Sequence, residues 1–184
     1  MKHFAFAFIG LILLSACNPE TKYADELKEI DTYSKKLDSV KTILNGIDFD
    51  SLMYMQETAL SNEKLIKRFY VSDTIDQDFA QKLNYNKYVR KHLKGAKEEK
   101  GNMLNELKAL KIQFANLKTD ILNGLYSKEQ INNYLSVEKS DTKLLLNSVT
   151  EYDKMQKNAK IYFYFATPEI SNYLTKIMNE KQSD

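Results

Sequence analysis

The sequence predicts an all-α fold: an elongated antiparallel helical bundle of four to five helices, partly coiled-coil-like. Three observations carry this expectation. Across 184 residues there are only two prolines and five glycines, so little interrupts a helix, and the many Lys, Leu and Glu residues favour helix over strand. Apolar residues recur in rows spaced three, four and seven apart, which is the repeat of one helix face. Between the rows stand short polar segments with helix-capping chemistry.

The first helix is expected from about Tyr23 to Asn45, where Tyr23, Ile30, Leu37 and Leu44 form one row and Tyr33, Val40 and Ile47 another. Asn45 and Gly46 suit a left-handed C-cap, and Asp48 or Asp50 can start the next helix. That helix runs to about Tyr70 with Leu52, Met55, Ala59, Ile66 and Phe69 inward, and ends in a polar turn at Ser72, Asp73 and Thr74. Thr74 and Gln77 read as a capping box that opens the third helix, whose early face carries Ile75, Phe79, Leu83, Val89 and Leu93. Further on, Met103, Leu107, Leu110, Phe114, Leu117 and Ile121 alternate four and three apart. The intervening segment from Lys94 to Gly101 is apolar-poor and holds two glycines, each worth about 1 kcal/mol against helix, so a break or bend is expected there.

Asn123 and Gly124 close that arm, and Ser127 with Gln130 forms another capping box. It opens the longest helix, Lys128 to about Phe165, with Ile131, Leu135, Leu145, Val149, Tyr152, Ala159 and Phe163 inward and Glu138 and Thr142 interrupting the stripe. Thr167, Pro168 and Glu169 predict a last short helix, with Thr as N-cap and Pro at the first position. Ile170, Leu174 and Ile177 face inward on it. The segments Ile43 to Gly46 and Ile121 to Gly124 are identical in type, but their flanks differ, so they read as two similar C-caps rather than a duplication.

The start of the chain is of another kind. Met1, Lys2 and His3 are followed by an apolar stretch from Phe4 to Leu14 and then by small residues up to Cys17, the only cysteine. This is the three-part pattern of a cleavable export signal, and its apolar core is shorter than the roughly 20 residues a bilayer span needs. Leu14, Ser15, Ala16 and Cys17 resemble the lipobox of bacterial lipoproteins. The resemblance implies that residues 1–16 are removed, that the Cys17 thiol carries diacylglycerol, and that the new amino terminus is acylated. Residues 17–22 would then be the lipidated Cys and a short linker, reaching ~17 Å when extended, and residues 23–184 a single helical-bundle domain. Asn18 stands where Asp favours inner-membrane retention in the enterobacterial pattern, so the resemblance favours an outer-membrane address, on the periplasmic or surface face.

Composition bounds the rest. The formal charge is +2 before Lys2 leaves with the signal, so near-neutrality gives no reason to expect nucleic acid as a partner. With Cys17 as anchor no disulfide remains, and the domain must hold itself by packing. No catalytic, metal or cofactor constellation is expected. His92 is the only histidine after the signal, no Gly-x-Ser-x-Gly turn or Glu-x-x-His tetrapeptide occurs, and the carboxylates stand beside lysines as solvated charge.

Two features remain as a candidate interaction patch. Lys87, Arg90, Lys91 and Lys94 begin the densest basic stretch, continued by Lys97 and Lys100, and suit lipid headgroups or an acidic partner. Ile161, Tyr162, Phe163, Tyr164 and Phe165 point all round a helix, so they cannot share one buried stripe, and Tyr162 and Tyr164 are expected at the surface. Tyr85 and Tyr88 lie close to the basic stretch in sequence. The functional expectation is a lipid-anchored envelope lipoprotein acting as a non-enzymatic interaction or scaffold module with an envelope protein partner. The alternative is a small-ligand-binding or inhibitor or immunity-type helical lipoprotein.

Overall fold

The computed structural model describes residues 18–71 and 76–182; Cys17 with its lipobox, and Thr74 and Ile75, lie outside the described residues. The chain forms α1 (Pro19–Lys22), α2 (Ala24–Asn45), α3 (Phe49–Phe69), α4 (Gln77–Leu93), α5 (Ala96–Leu122) and α6 (Lys128–Gln182). There is no strand among the described residues, and the fold is an all-α helical bundle.

The five longer helices make three arms. α2 and α3 ascend in succession, α4 and α5 return, and α6 ascends again beside all four of them. At 55 residues and 1.5 Å per residue α6 is about 82 Å long. It is the spine on which both other arms pack. Its buried positions include Ile131 and Leu135 and, after a step of seven, Thr142, Leu145, Val149, Tyr152, Gln156, Ala159, Phe163 and Ala166, which alternate in threes and fours, the heptad spacing of a bundle seam.

The core is divided along this spine. A lower cluster joins α2, α5 and the first half of α6, with Leu37, Val40, Leu44, Phe114, Ile121 and Leu145 almost wholly buried. Two smaller clusters join α3, α4 and the second half of α6, around Leu52, Val89 and Phe163 and around Ile66, Phe79 and Ile170. Ile47, between α2 and α3, packs on both the lower and the middle cluster. The α4–α5 break falls at the same boundary, with Leu93 in one cluster and Ala96 in the other.

The caps explain the path. Asp48 accepts from the Ser51 N–H at 3.1 Å and so opens α3. Asp76, rather than Thr74, opens α4 by accepting from Phe79 N–H at 3.1 Å. The Ser127 and Gln130 box is formed in both directions, at 2.9 and 3.3 Å. Gly124 has φ 68°, and Leu125 N–H reaches back to the Asp120 carbonyl at 3.0 Å, a left-handed close that reverses the chain. Gly46 does not do this: its φ is −73°, because α3 continues in the direction of α2 and no reversal is needed. At the α4–α5 break the expected interruption is confined to Lys94 and Gly95, the latter at φ 83°, and Gly101 stays inside α5.

Two further expectations are corrected. Residues 19–22 are a helical turn capped by Asn18 and packed against α2 and α5, not an extended linker. There is also no separate last helix, because α6 runs on through Pro168. Pro168 is exposed, so its ring faces solvent, while Ala166, Ile170 and Leu174 on the same stretch are buried against Ile66 and Phe79. Tertiary burial outweighs the roughly 3 kcal/mol that an interior proline costs. Pro168→Ala is therefore expected to raise stability by about 1–3 kcal/mol in denaturant unfolding. A neutral or lower value would mean that the helix is initiated at Pro168 after all.

Ion pairs lace the lower half: Asp31–Lys118 at 2.6 Å, Glu26–Lys128 at 3.2 Å, Asp38–Lys111 and Glu29–Lys139. Except at Glu26, which is buried, both partners are at least partly exposed, and such pairs contribute to register more than to stability. In the upper half Asn62 and Asn86 occupy the seam of α3 and α4. The Asn62 amide donates to Asn86 at 3.4 Å and the Asn86 amide to the Ala59 carbonyl at 2.8 Å, a buried polar pair that disfavours sliding of one helix past the other.

Candidate functional site

The α4–α6 seam carries the most unusual surface. Residues three and four apart on a helix share a side, so Tyr85, Tyr88 and His92 of α4 align, and Tyr162 and Phe165 of α6 meet them. Tyr85 stacks on Tyr162 at 4.5 Å between ring centroids and meets Phe165 edge-on at 5.7 Å. Tyr88 meets Tyr162 edge-on at 4.9 Å and stacks on His92 at 3.7 Å. The result is a continuous ladder of five rings. Offset and edge-to-face pairs of this kind contribute about 0.5–1.5 kcal/mol each beyond their buried area.

A buried lysine closes the upper end. Lys82 is 8% exposed; its ammonium group pairs with Glu169 at 2.8 Å and lies 3.2 Å above the Phe165 ring. The aliphatic stem occupies the seam position while the head reaches the edge of the bundle.

At the lower end the ladder opens into a notch of about 410 Å³ beside the α4–α5 break, lined by Tyr88, His92, Glu99, Ser148, Tyr152 and Asn158 among others. His92 Nδ1 lies 3.0 Å from the Tyr88 carbonyl, which can only accept, so Nδ1 donates in this contact and Nε2 is directed away from it. Tyr152 forms the floor, 2% exposed, and its hydroxyl donates to the Ala96 carbonyl at 2.5 Å. Burial pushes the Tyr152 phenol up to about 12.

Among the described residues Ser148 makes no hydrogen bond to His92, and no group of three or more His, Cys, Asp or Glu is placed to hold a metal ion. Lower on α6, burial holds the Glu138 carboxyl above its usual range and the neighbouring Asp141 adds to the effect.

The six residues expected as one patch are distributed over several faces. Lys87 and Lys91 are exposed on α4 and Lys94 is exposed at the break that follows it, and Lys87 lines a groove between α3 and α4. Arg90 is half-buried and pairs with Glu63 of α3. Lys67, 2.7 Å from Glu63, and Arg90 together hold that carboxyl below its usual range. Tyr162 is half-buried in the ring ladder, contrary to expectation, because it faces α4. Tyr164 is 65% exposed, edge-on to Phe163, which in turn meets Tyr54 of α3.

Sequence spacing alone did not bring Tyr85, Tyr88 and His92 together with Tyr162 and Phe165. The signal available was the four-residue spacing of Tyr88 and His92 and the three-residue spacing of Tyr85 and Tyr88 on the side of α4 next to its core row. Lys82 and Asn86 were hidden because they are polar, although they continue the row from Phe79 to Val89 and Leu93. No family model, curated protein or solved structure matches the chain.

Proposed function

We propose that the protein is a lipid-anchored bacterial envelope lipoprotein that stands on end as a non-enzymatic interaction rod. The observation that supports this most is where the chain enters the bundle. α1, which begins two residues after Cys17, packs against α2 and α5, and the Tyr23 hydroxyl donates to the Tyr126 carbonyl at 3.5 Å just before α6 begins. A lipid on Cys17 thus attaches at one end of a spine about 82 Å long. The ring ladder belongs to the half of the bundle away from that end, where an envelope partner would meet it. On this reading the outer membrane is the favoured address, and the partner recognises aromatic faces edged by cations.

The notch favours a second reading, in which a small ligand with a planar apolar part and hydrogen-bonding groups seats against Tyr88 and His92. Its volume of about 410 Å³ suits a compact molecule.

Energy transfer to acceptor lipids tests the upright posture. Fluorophores on Asn132→Cys and Lys176→Cys, both exposed on α6, are about 66 Å apart along the helix. Strong transfer from residue 132 and none from residue 176 is expected in vesicles carrying the lipidated chain. Equal transfer from both would lay the rod along the membrane and end the proposal.

A further inference from the structure

In the lower half of the bundle, helix α5 lies between two exposed strips of opposite chemistry. On its α2 side, Lys41, Leu104, Leu107, Lys108, Lys111 and Ile112 line an open groove of about 380 Å³. Its floor is apolar and its walls are ammonium groups. Asp38 answers Lys111 and is within electrostatic reach of Lys41, which leaves Lys108 unmatched and the groove positive.

The other strip is on α6. Tyr134, Val137, Asp141 and Leu144 are three, four and three apart and share one face. Tyr134, Val137 and Leu144 are 42%, 51% and 60% exposed, so this helix shows apolar anchors to solvent. The charge beside them is negative: Asp141 lies on the strip, and Glu138 is close enough for Asp141 to act on its carboxyl.

The two strips are at the same height. Asn116 and Asp120 of α5 share a recess with Tyr134 and Glu138 of α6, and the Ala96 carbonyl meets Tyr152. Between these fixed points the antiparallel helices place residues 104–115 level with roughly residues 135–146 of α6.

From this pairing of shape and charge we infer that the α6 strip of one copy docks in the α2–α5 groove of a second copy, the two bundles standing parallel and side by side. Val137 and Leu144 are the anchors that enter the groove, and Asp141 meets Lys108 and Lys41. An amphipathic helix face in an apolar groove is a recurrent recognition mode, with charge setting the partner and register. Because the two surfaces differ, the contact is head-to-tail around the bundle axis and extends to further copies as a ring or a row. The contact does not depend on the proposed lipid anchor; its confinement to one membrane plane does.

The test mixes two full-chain variants in membranes, Leu144→Cys and Lys108→Cys, and adds a short thiol cross-linker. Both positions are exposed, so the fold is not at stake. A cross-linked dimer is expected in the mixture and not with either variant alone. Lys108→Glu should weaken association about tenfold, and a partner copy carrying Asp141→Lys should restore it. Linking of Leu144→Cys to itself, to a different protein, or to nothing overturns the inference. The wild-type chain treated alongside reports separately on the anchor, since only an unlipidated Cys17 could be cross-linked.

Discussion

Replacing Cys17 with Ala is expected to abolish lipid on the protein and to release the mature chain from the membrane. Among the described residues no helix is long and apolar enough to cross a bilayer, so attachment on the proposed reading rests on acyl chains alone. Each buried CH₂ contributes about 0.8 kcal/mol, and a single chain binds with an association constant on the order of 10⁴ M⁻¹, whereas two or three chains together hold firmly. Removing the thiol would remove the site of the proposed diacylglyceryl group and also the residue before which a dedicated peptidase would cut. In the native sequence the variant should therefore accumulate as a heavier, unlipidated precursor still carrying residues 1–16. Behind an ordinary cleavable export signal, the same Cys17→Ala chain should appear in the soluble fraction at the mature mass. Mass spectrometry of the N-terminal peptide and membrane fractionation read the two cases separately. A Cys17→Ala chain that stayed membrane-bound after losing residues 1–16 would show that another feature holds it there.

The lipobox proposal rests on a local pattern, one that can be read without knowing any contact. Much of the bundle was legible for a related reason. The rows through Leu37 and Leu44, through Met103 to Ile121 and through Ile131 to Phe163 are buried as their spacing required. The Ser127–Gln130 box is a four-residue interaction and formed as expected. What failed was what long-range packing decides. Pro168 carries a strong local instruction to start a helix, yet the burial of Ile170 and Leu174 against α3 and α4 carries α6 through it. Gly46 carries the composition of a left-handed cap, but the direction of α3 leaves nothing to reverse.

The candidate site was less legible than the fold. Tyr162 belongs to the ring ladder only because α4 lies on that side of α6, and Arg90 leaves the basic face only because Glu63 of α3 is within reach. A single sequence gives the face on which each residue lies, but not which neighbouring helix covers that face. Polar residues at seam positions add to the difficulty. Lys82, Asn62, Asn86 and Gln156 are all under 9% exposed, and each interrupts an apolar row that is nonetheless continuous in space.

Tyr152 stands where these features converge, and Tyr152→Ala is expected to be the most damaging single core substitution. The ring belongs to the lower core and forms the floor of the notch, while its hydroxyl holds the first carbonyl of α5 after the break at Gly95. Truncation leaves a cavity and a backbone group without its partner. The expected loss is about 3–5 kcal/mol, which for a domain of this size corresponds to a fall in Tm of roughly 6–20 °C. Tyr152→Phe keeps the ring and removes one buried hydrogen bond, for a loss of about 1 kcal/mol. The pH dependence reports on the burial of the phenol. Burial raises the phenol to about 12 from its ordinary 10.0, so the folded protein holds this proton more tightly than the unfolded chain does. The stabilisation is fully present below pH 10 and is lost as pH rises from 10 to 12, because the unfolded chain ionises first. Denaturant unfolding of wild type should therefore weaken across that window, and Tyr152→Phe should weaken less. An unchanged slope in Tyr152→Phe would assign the alkaline loss instead to Tyr126 and Tyr173, whose phenols are also raised, the first by its bond to Asp120 and the second by burial.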